Sequence, residues 1–161
     1  MSPASGNSTV AITKFFKAEQ ASVEGGGWVT MDPEGKVRMK ILAIDEANNS
    51  YDMLLWIAPG STFGSGRHTH GGETYVYILE GGYALTAFAD HNDKDGTTIW
   101  YNKGDFLYQP FGQIHIETVG PEGTLLYAST RGSSTIFEGF DEEGNVVMTQ
   151  SLSDIKQMLK T

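Results

Sequence analysis

The feature that most constrains this chain is how it is punctuated. Twenty glycines are spread through its 161 residues, and the runs between them are short and rich in Val, Ile, Tyr and Thr. Runs of that length and composition form strands, and many short strands joined by tight turns build a sandwich or a barrel. In VRMKILAID (37–45), period-two alternation puts Val37, Met39, Ile41 and Ala43 on one face, with Arg38 and Lys40 on the other. YDMLLWIAPG (51–60) reads as a strand stopped by Pro59-Gly60. The stretch 74–90 reads as two strands around a tight hairpin at Gly81-Gly82. A turn cluster at 92–98 follows, then strands at 97–101, 104–110, 113–119, 124–130, 134–140 and 146–150. The single convincing helix is SLSDIKQMLK (151–160). Ser151 or Ser153 caps it, Asp154 lies in its first turn, and Leu152, Ile155, Met158 and Leu159 share a face.

A chain of 161 residues holds one well-cored domain, so a single unit over residues 1–161 is expected. Residues 1–12 read as a polar, mobile arm, without the basic start and apolar core of a secretory signal. No apolar run approaches a membrane span, so no membrane partner is expected. The net charge of −9 argues against nucleic acid as a partner. Cysteine is absent, which removes disulfides, thiolate metal sites and cysteine nucleophiles together and leaves a cytoplasmic location as the default.

The chemistry concentrates in GSGRHTHGGETYVYILEGG (64–82). Side chains at i and i+2 of a strand point to one face, so His68 and His70 can aim both imidazoles at one ion. His115 follows a Pro-Phe-Gly corner, on a strand that presents it inward as a third ligand. Imidazole nitrogen suits iron, zinc, nickel and copper. His91, beside NDKDG, reads as a surface residue.

These two stretches resemble the two signature motifs of the cupin superfamily. Gly104, Pro110, Gly112 and His115 match the second motif, with Val119 where asparagine is usual. His68, His70 and Gly81 match the first. Its glutamate position falls on Thr74, with Glu73 one residue early, and its first glycine is replaced by Thr62. The resemblance implies an all-β jelly roll, a double-stranded β-helix, that is often dimeric. It also implies one divalent metal ion. Fe(II) is the favoured identity, with Zn, Ni, Mn or Cu as alternatives. Within the superfamily the chain resembles the branch of acetylacetone-cleaving and 2,4′-dihydroxyacetophenone dioxygenases, where histidines dominate the coordination of a non-haem iron. Further matches are WVTMDPEGKVRMKIL, GDFLYQPFGQIH and DEEGNVVMTQSLSDIKQML. Ala87 stands where the second of these groups carries an acidic residue.

Two arrangements of the fourth position stay open. A regular strand points residue 74 at the ion and Glu73 away, leaving three histidines and water. A bulge at Gly71-Gly72 would shift the register and bring Glu73 in as a carboxylate ligand. Regular pairing needs no extra assumption and is favoured. The expected pocket is apolar and aromatic, lined by Trp56, Phe63, Phe106, Tyr108 and Phe111, with Thr74, Val76 and Ile78 inward by parity. Gln113 and Glu117 share parity with His115, along the cavity or behind a ligand imidazole. Arg67 and Arg131 are candidates to hold a substrate oxyanion. The resemblance points to an oxidoreductase, a dioxygenase that cleaves a C–C bond in a small diketone or hydroxyketone with O₂. A metal-dependent isomerase or lyase, and a non-catalytic sensor such as the zinc-binding cupin domains of some anti-sigma factors, are the alternatives.

Overall fold

The structure, a computed structural model, describes residues 26–160; the arm expected at residues 1–12 lies outside them. The strands in chain order are β1 (Val29–Thr30), β2 (Val37–Asp45), β3 (Ser50–Ile57), β4 (His68–Thr69) and β5 (Glu73–Phe88). They continue with β6 (Thr97–Asn102), β7 (Phe106–Gln109), β8 (Ile114–Arg131), β9 (Thr135–Phe140) and β10 (Val146–Ser151). One helix, α1 (Leu152–Met158), closes the described chain. Every strand pairing is antiparallel, in one curled sheet ordered β1-β2-β3-β8-β4-β9-β10, with β5 also on β8 and carrying β6 and β7. This is the all-β jelly roll that the strand pattern and the cupin resemblance predict. Among the described residues no helix is long and apolar enough to cross a membrane.

The interior follows from alternation. Val37 and Met39 of β2, Tyr51, Leu55 and Ile57 of β3, Val76 and Ile78 of β5, and Leu126 and Ala128 of β8 face one another in the core. The α1 helix seals one side with Leu152 and Ile155. It starts on a capping box, in which Asp154 N–H donates to Ser151 Oγ while Ser151 N–H donates to the Asp154 carboxylate. Leu159 does not complete the buried face: it is the C-cap residue and is exposed. In β2 a bulge between Ile41 and Ala43 advances the register, so Ile44 rather than Ala43 packs on the core.

The hairpin expected at Gly81-Gly82 is absent. Strand β5 runs straight through both glycines because each of its halves finds the same long partner, β8, instead of folding back on the other. Pairing passes from Gly81↔Thr124 to Tyr83↔Val119, so residues 120–123 of β8 bulge out of the ladder. An earlier shift, between Ile78↔Leu126 and Glu80↔Leu125, leaves one extra residue in β5 and inverts its parity. Ahead of it Thr74, Val76 and Ile78 are buried; beyond it Tyr83 and Leu85 are. Tyr83 enters the interior by this inversion.

Candidate metal centre

His68 and His115 face each other across the β4–β8 ladder as direct Cα partners. His70 lies just beyond the end of β4. The three rings gather with centroids 4.4 Å (His68–His115), 5.1 Å (His70–His115) and 5.3 Å (His68–His70) apart. Each ring turns its Nδ1 to a backbone carbonyl: His68 to Gly66 at 2.8 Å, His70 to Ile136 at 3.2 Å, His115 to Gln113 at 2.9 Å. A carbonyl oxygen only accepts, so each Nδ1 carries the hydrogen and each Nε2 offers a free lone pair. Three lone pairs then point into one volume, which is what a metal site requires.

Glu117 completes the group. Its Oε1 stands 3.8 Å from His68 Nε2, 3.8 Å from His70 Nε2 and 3.7 Å from His115 Nε2. Those separations are too long for hydrogen bonds. Two donors of one ion, bound at 2.0–2.2 Å and the tetrahedral angle, stand about 3.3–3.6 Å apart. The observed spacing is therefore that of ligands around a common centre, wider by a few tenths of an ångström. His115 Nε2 is fully buried without a hydrogen-bond partner, the orphan a metal would satisfy. Residues present and geometry both fit a divalent cation held by His68, His70, His115 and Glu117.

Sequence reading put Glu117 on the right face but gave it a supporting role; the structure brings its carboxylate into the histidine cluster. A loop sets its position. Glu117 N–H donates to Gly64 O at 2.8 Å, and a Cβ on Gly64 would sit 2.5 Å from Glu117 Oε2. Gly64 also holds φ at +74°, so no other residue fits there without displacing the carboxylate. From within the barrel Tyr83 Oη donates to Glu117 Oε1 at 2.6 Å, and Gln109 Nε2 donates to Tyr83 Oη at 3.4 Å. Burial opposes ionisation of Glu117, yet the neighbouring imidazoles outweigh it and hold the carboxyl well below its ordinary range. Burial lowers His68, but Glu117 reverses that and raises it; at His115 burial prevails and the pKa falls. Burial, then the Glu117 charge, keeps Tyr83 protonated far above its ordinary value.

A cavity opens beside the cluster. The space in which a water's centre can sit is about 80 Å³, lined by Met39, Tyr51, Leu55, Phe63, Val76 and Phe137 among others. At about 10–15 Å³ per water, that holds a molecule of roughly five to eight heavy atoms. Of the expected lining, Phe63, Thr74, Val76 and Glu117 are there. Ile78 is fully buried in the core beneath it. Thr74, at the motif's glutamate position, pairs its hydroxyl with that of Thr130 at 3.1 Å.

The other expected lining residues lie elsewhere. Phe106 and Tyr108 are exposed because alternation in β7 buries Leu107 and Gln109 instead. Phe111, in the Pro-Phe-Gly corner, is the most exposed large apolar side chain described, at 71%. Trp56 takes the opposite face of β3, beneath the Arg38 guanidinium. Gln113 lends its carbonyl to His115, and its side chain does not reach the cavity.

Glu73 stands outside the cluster. It pairs in register with Arg131, Thr74 pairs with Thr130, and no bulge intervenes. Gly71 and Gly72 are there for close approach: a Cβ would lie 1.6 Å from Thr135 O and 2.3 Å from Arg131 O respectively. Regular parity points Glu73 outward, where its carboxylate accepts from Tyr108 Oη at 2.9 Å. Arg67 is spent on the loop carbonyls of Asp90, His91 and Asp93 and lies over the Phe88 ring, so it is not available to a ligand. Arg131 is exposed and reaches Ser129 Oγ at 3.4 Å. His91 packs edge-on against Phe140, away from the cluster.

Three residues beside the cluster escaped the sequence. Tyr83 was concealed by the parity inversion. Phe137, stacked on His68 at 4.9 Å, comes from β9, whose register no local signal fixes. Gln109 could have been found: in Phe106–Gln109 a polar residue shares the inward parity of Leu107, and a polar residue on a buried face calls for a partner.

The family model of the ChrR cupin-like domain matches residues 18–135. No curated protein matches the chain. Among solved structures, the chain resembles an acetylacetone dioxygenase from Acinetobacter johnsonii (14% identity, 96% of each chain covered, TM-score 0.65). It also resembles a proposed acetylacetone dioxygenase from Methylibium petroleiphilum (15% identity, 93% of this chain and 96% of that one, TM-score 0.66). An RmlC-like cupin from Ralstonia eutropha overlaps at 19% identity, covering 83% of this chain and 79% of its own, with TM-score 0.65. At these identities the likeness is one of fold.

Proposed function

We propose, from the premise that this chain belongs to the ChrR cupin-like domain family, that it is a mononuclear dioxygenase cleaving a C–C bond in a small diketone or hydroxyketone. The observation that carries the reading is the convergence of three imidazole Nε2 atoms and one carboxylate on one point, beside a mostly apolar, ligand-sized cavity that His68, His70 and Glu117 line. The fold likeness to an acetylacetone dioxygenase over 96% of both chains supports it. His68, His70, His115 and Glu117 would hold the ion, with Fe(II) the favoured identity. Bound there, Fe(II) would supply the redox chemistry for O₂ and the Lewis acidity that draws a ketone oxygen.

The chain's own side chains do the rest. The carbonyls of Gly66, Ile136 and Gln113 fix the tautomer of each imidazole. Tyr83 keeps its proton and steadies the Glu117 carboxylate. Phe63, Phe137, Met39, Leu55 and Val76 exclude water around the substrate. We read the protein as one cytoplasmic cupin domain working as a homodimer on a small molecule and O₂.

The test is anaerobic reconstitution with Fe(II), followed by O₂ uptake over a panel of diketones and hydroxyketones. Stoichiometric uptake with carboxylate products is expected; no uptake across the panel would overturn the reading. One observation favours a second reading, a metal-binding module without turnover: Glu117 supplies a fourth protein donor, and four protein donors suffice for a closed zinc site. Elemental analysis of protein purified without added metal separates the two, iron with uptake against zinc without it.

A further inference from the structure

At β6 the sheet ends before its core is closed. β6 pairs with β5 in an unbroken register, from Gly82↔Asn102 to Ala87↔Thr97, and no described strand pairs with its other side. Exposed edges are usually blunted by Lys, Pro or a bulge, because their free N–H and C=O groups are a template for another strand. β10, the other edge strand of six residues, has such a bulge between Val146 and Met148. β6 reads TTIWYN and has none of these devices. Ile99 takes the inward parity beside buried Leu85, yet it is 51% exposed; Trp100, on the opposite face, is 54% exposed. A partner laid on one face would cover one of them and leave the other open, whereas a strand set beside β6 covers both. The apolar strip continues along the same side of β5, through Phe106 and Tyr108 of β7 to Phe111.

We propose that a second copy of this chain occupies this edge, β6 pairing antiparallel with β6 about a two-fold axis, so that one sheet runs through both subunits. The inference rests on the homodimer reading above and names its interface. Such an axis stands normal to the sheet and keeps each side chain on its own face, so it passes through a residue. Two centres, Ile99 and Trp100, use most of the strand. Centred on Trp100, the register sets Asp95 against Asp105 of the partner subunit, like charge on like. Centred on Ile99, it sets Asp95 against Lys103 of the partner subunit, and by symmetry Lys103 against the partner subunit's Asp95. Both residues are exposed, and Lys103 also reaches Glu80 at 2.8 Å. The charges flanking β6 therefore select the Ile99 centre, and they select a second copy as the occupant, because an unrelated strand has no reason to carry the matching pair at that spacing.

Sedimentation equilibrium of the full chain, from about 1 to 100 μM, measures the association and needs no turnover. Wild type should run at twice the chain mass. Ile99→Lys and Trp100→Lys should run as monomers, with far-UV circular dichroism to check the fold; should Ile99→Lys unfold, Trp100→Lys on the outer face decides. Asp95→Lys alone should raise the dimer Kd by about tenfold, since symmetry counts the reversed pair twice. Adding Lys103→Asp to Asp95→Lys should restore the wild-type Kd. A dimer that survives Trp100→Lys, or a double variant no tighter than Asp95→Lys alone, overturns the interface and leaves the homodimer reading standing. A wild type that is monomeric throughout overturns both.

Discussion

Replacing Tyr83 by Phe removes one oxygen atom from the interior and leaves the ring packing intact. That oxygen makes a 2.6 Å hydrogen bond to the Glu117 carboxylate and receives a 3.4 Å bond from Gln109. A hydrogen bond to a charged group is worth about 1.5–3 kcal/mol, and the longer neutral contact adds little. For a chain of this size each kcal/mol moves the midpoint of thermal unfolding by about 2–4 °C, so a fall of about 3–12 °C is expected for the metal-free protein at pH 7. The loss should depend on pH. Glu117 is held below its ordinary value of 4.5, so its stabilisation is present above that pH and is lost as pH falls through the lower folded value. As the carboxyl becomes protonated, the cost of Tyr83→Phe should shrink toward that of a neutral hydrogen bond, about 1 kcal/mol. Urea unfolding of both proteins across this range measures it, and zinc affinity by chelator competition should fall about 10–100-fold in the variant. A stability loss under about 0.5 kcal/mol at pH 7, unchanged at low pH, would refute the claim that Tyr83 holds an ionised Glu117.

Further outcomes bear on the same site. Gly64→Ala should empty the metal centre and destabilise the fold by about 1–3 kcal/mol, because its Cβ meets Glu117 and its φ is left-handed; bound zinc and urea midpoints report both. Glu73→Gln should leave metal content and midpoint as in wild type, since it removes one surface contact to Tyr108; loss of metal would return Glu73 to the ligand set. Metal affinity should fall as pH drops, beginning above the ordinary histidine range, because Glu117 raises the His68 pKa and the proton competes for Nε2; chelator competition at pH 8 and pH 5.5 measures the slope. Ile78→Ala, at a fully buried core position, should cost about 2–5 kcal/mol in urea unfolding without altering the metal stoichiometry.

Much of this was legible beforehand because it is local. Period-two alternation and turn residues announced the strands, and Ser151 with Asp154 announced the helix start. Spacing i, i+2 put His68 and His70 on one face before any partner strand was known. Errors arose where one residue changes the count. The bulge in β2 exchanged Ala43 for Ile44. Continued pairing with β8 past Gly81 turned an expected hairpin into one long strand, and the bulge between Ile78 and Glu80 hid Tyr83. Phe106 and Tyr108 were read inward on aromatic character, although the apolar Leu107 already fixed the opposite parity.

The amino-acid order alone determined which chemistry is available: no thiols, three histidines on strand-forming runs, and a fold of short strands. It also determined that Glu73 and Thr74 take opposite faces. Only the tertiary structure decided that the carboxylate comes from Glu117, that Tyr83 and Gln109 stand behind it, and that Phe137 covers His68. The physical reason is register. A side chain's face depends on its immediate neighbours, but which side chains share a cavity depends on pairings between strands tens of residues apart, and a single bulge resets every position beyond it.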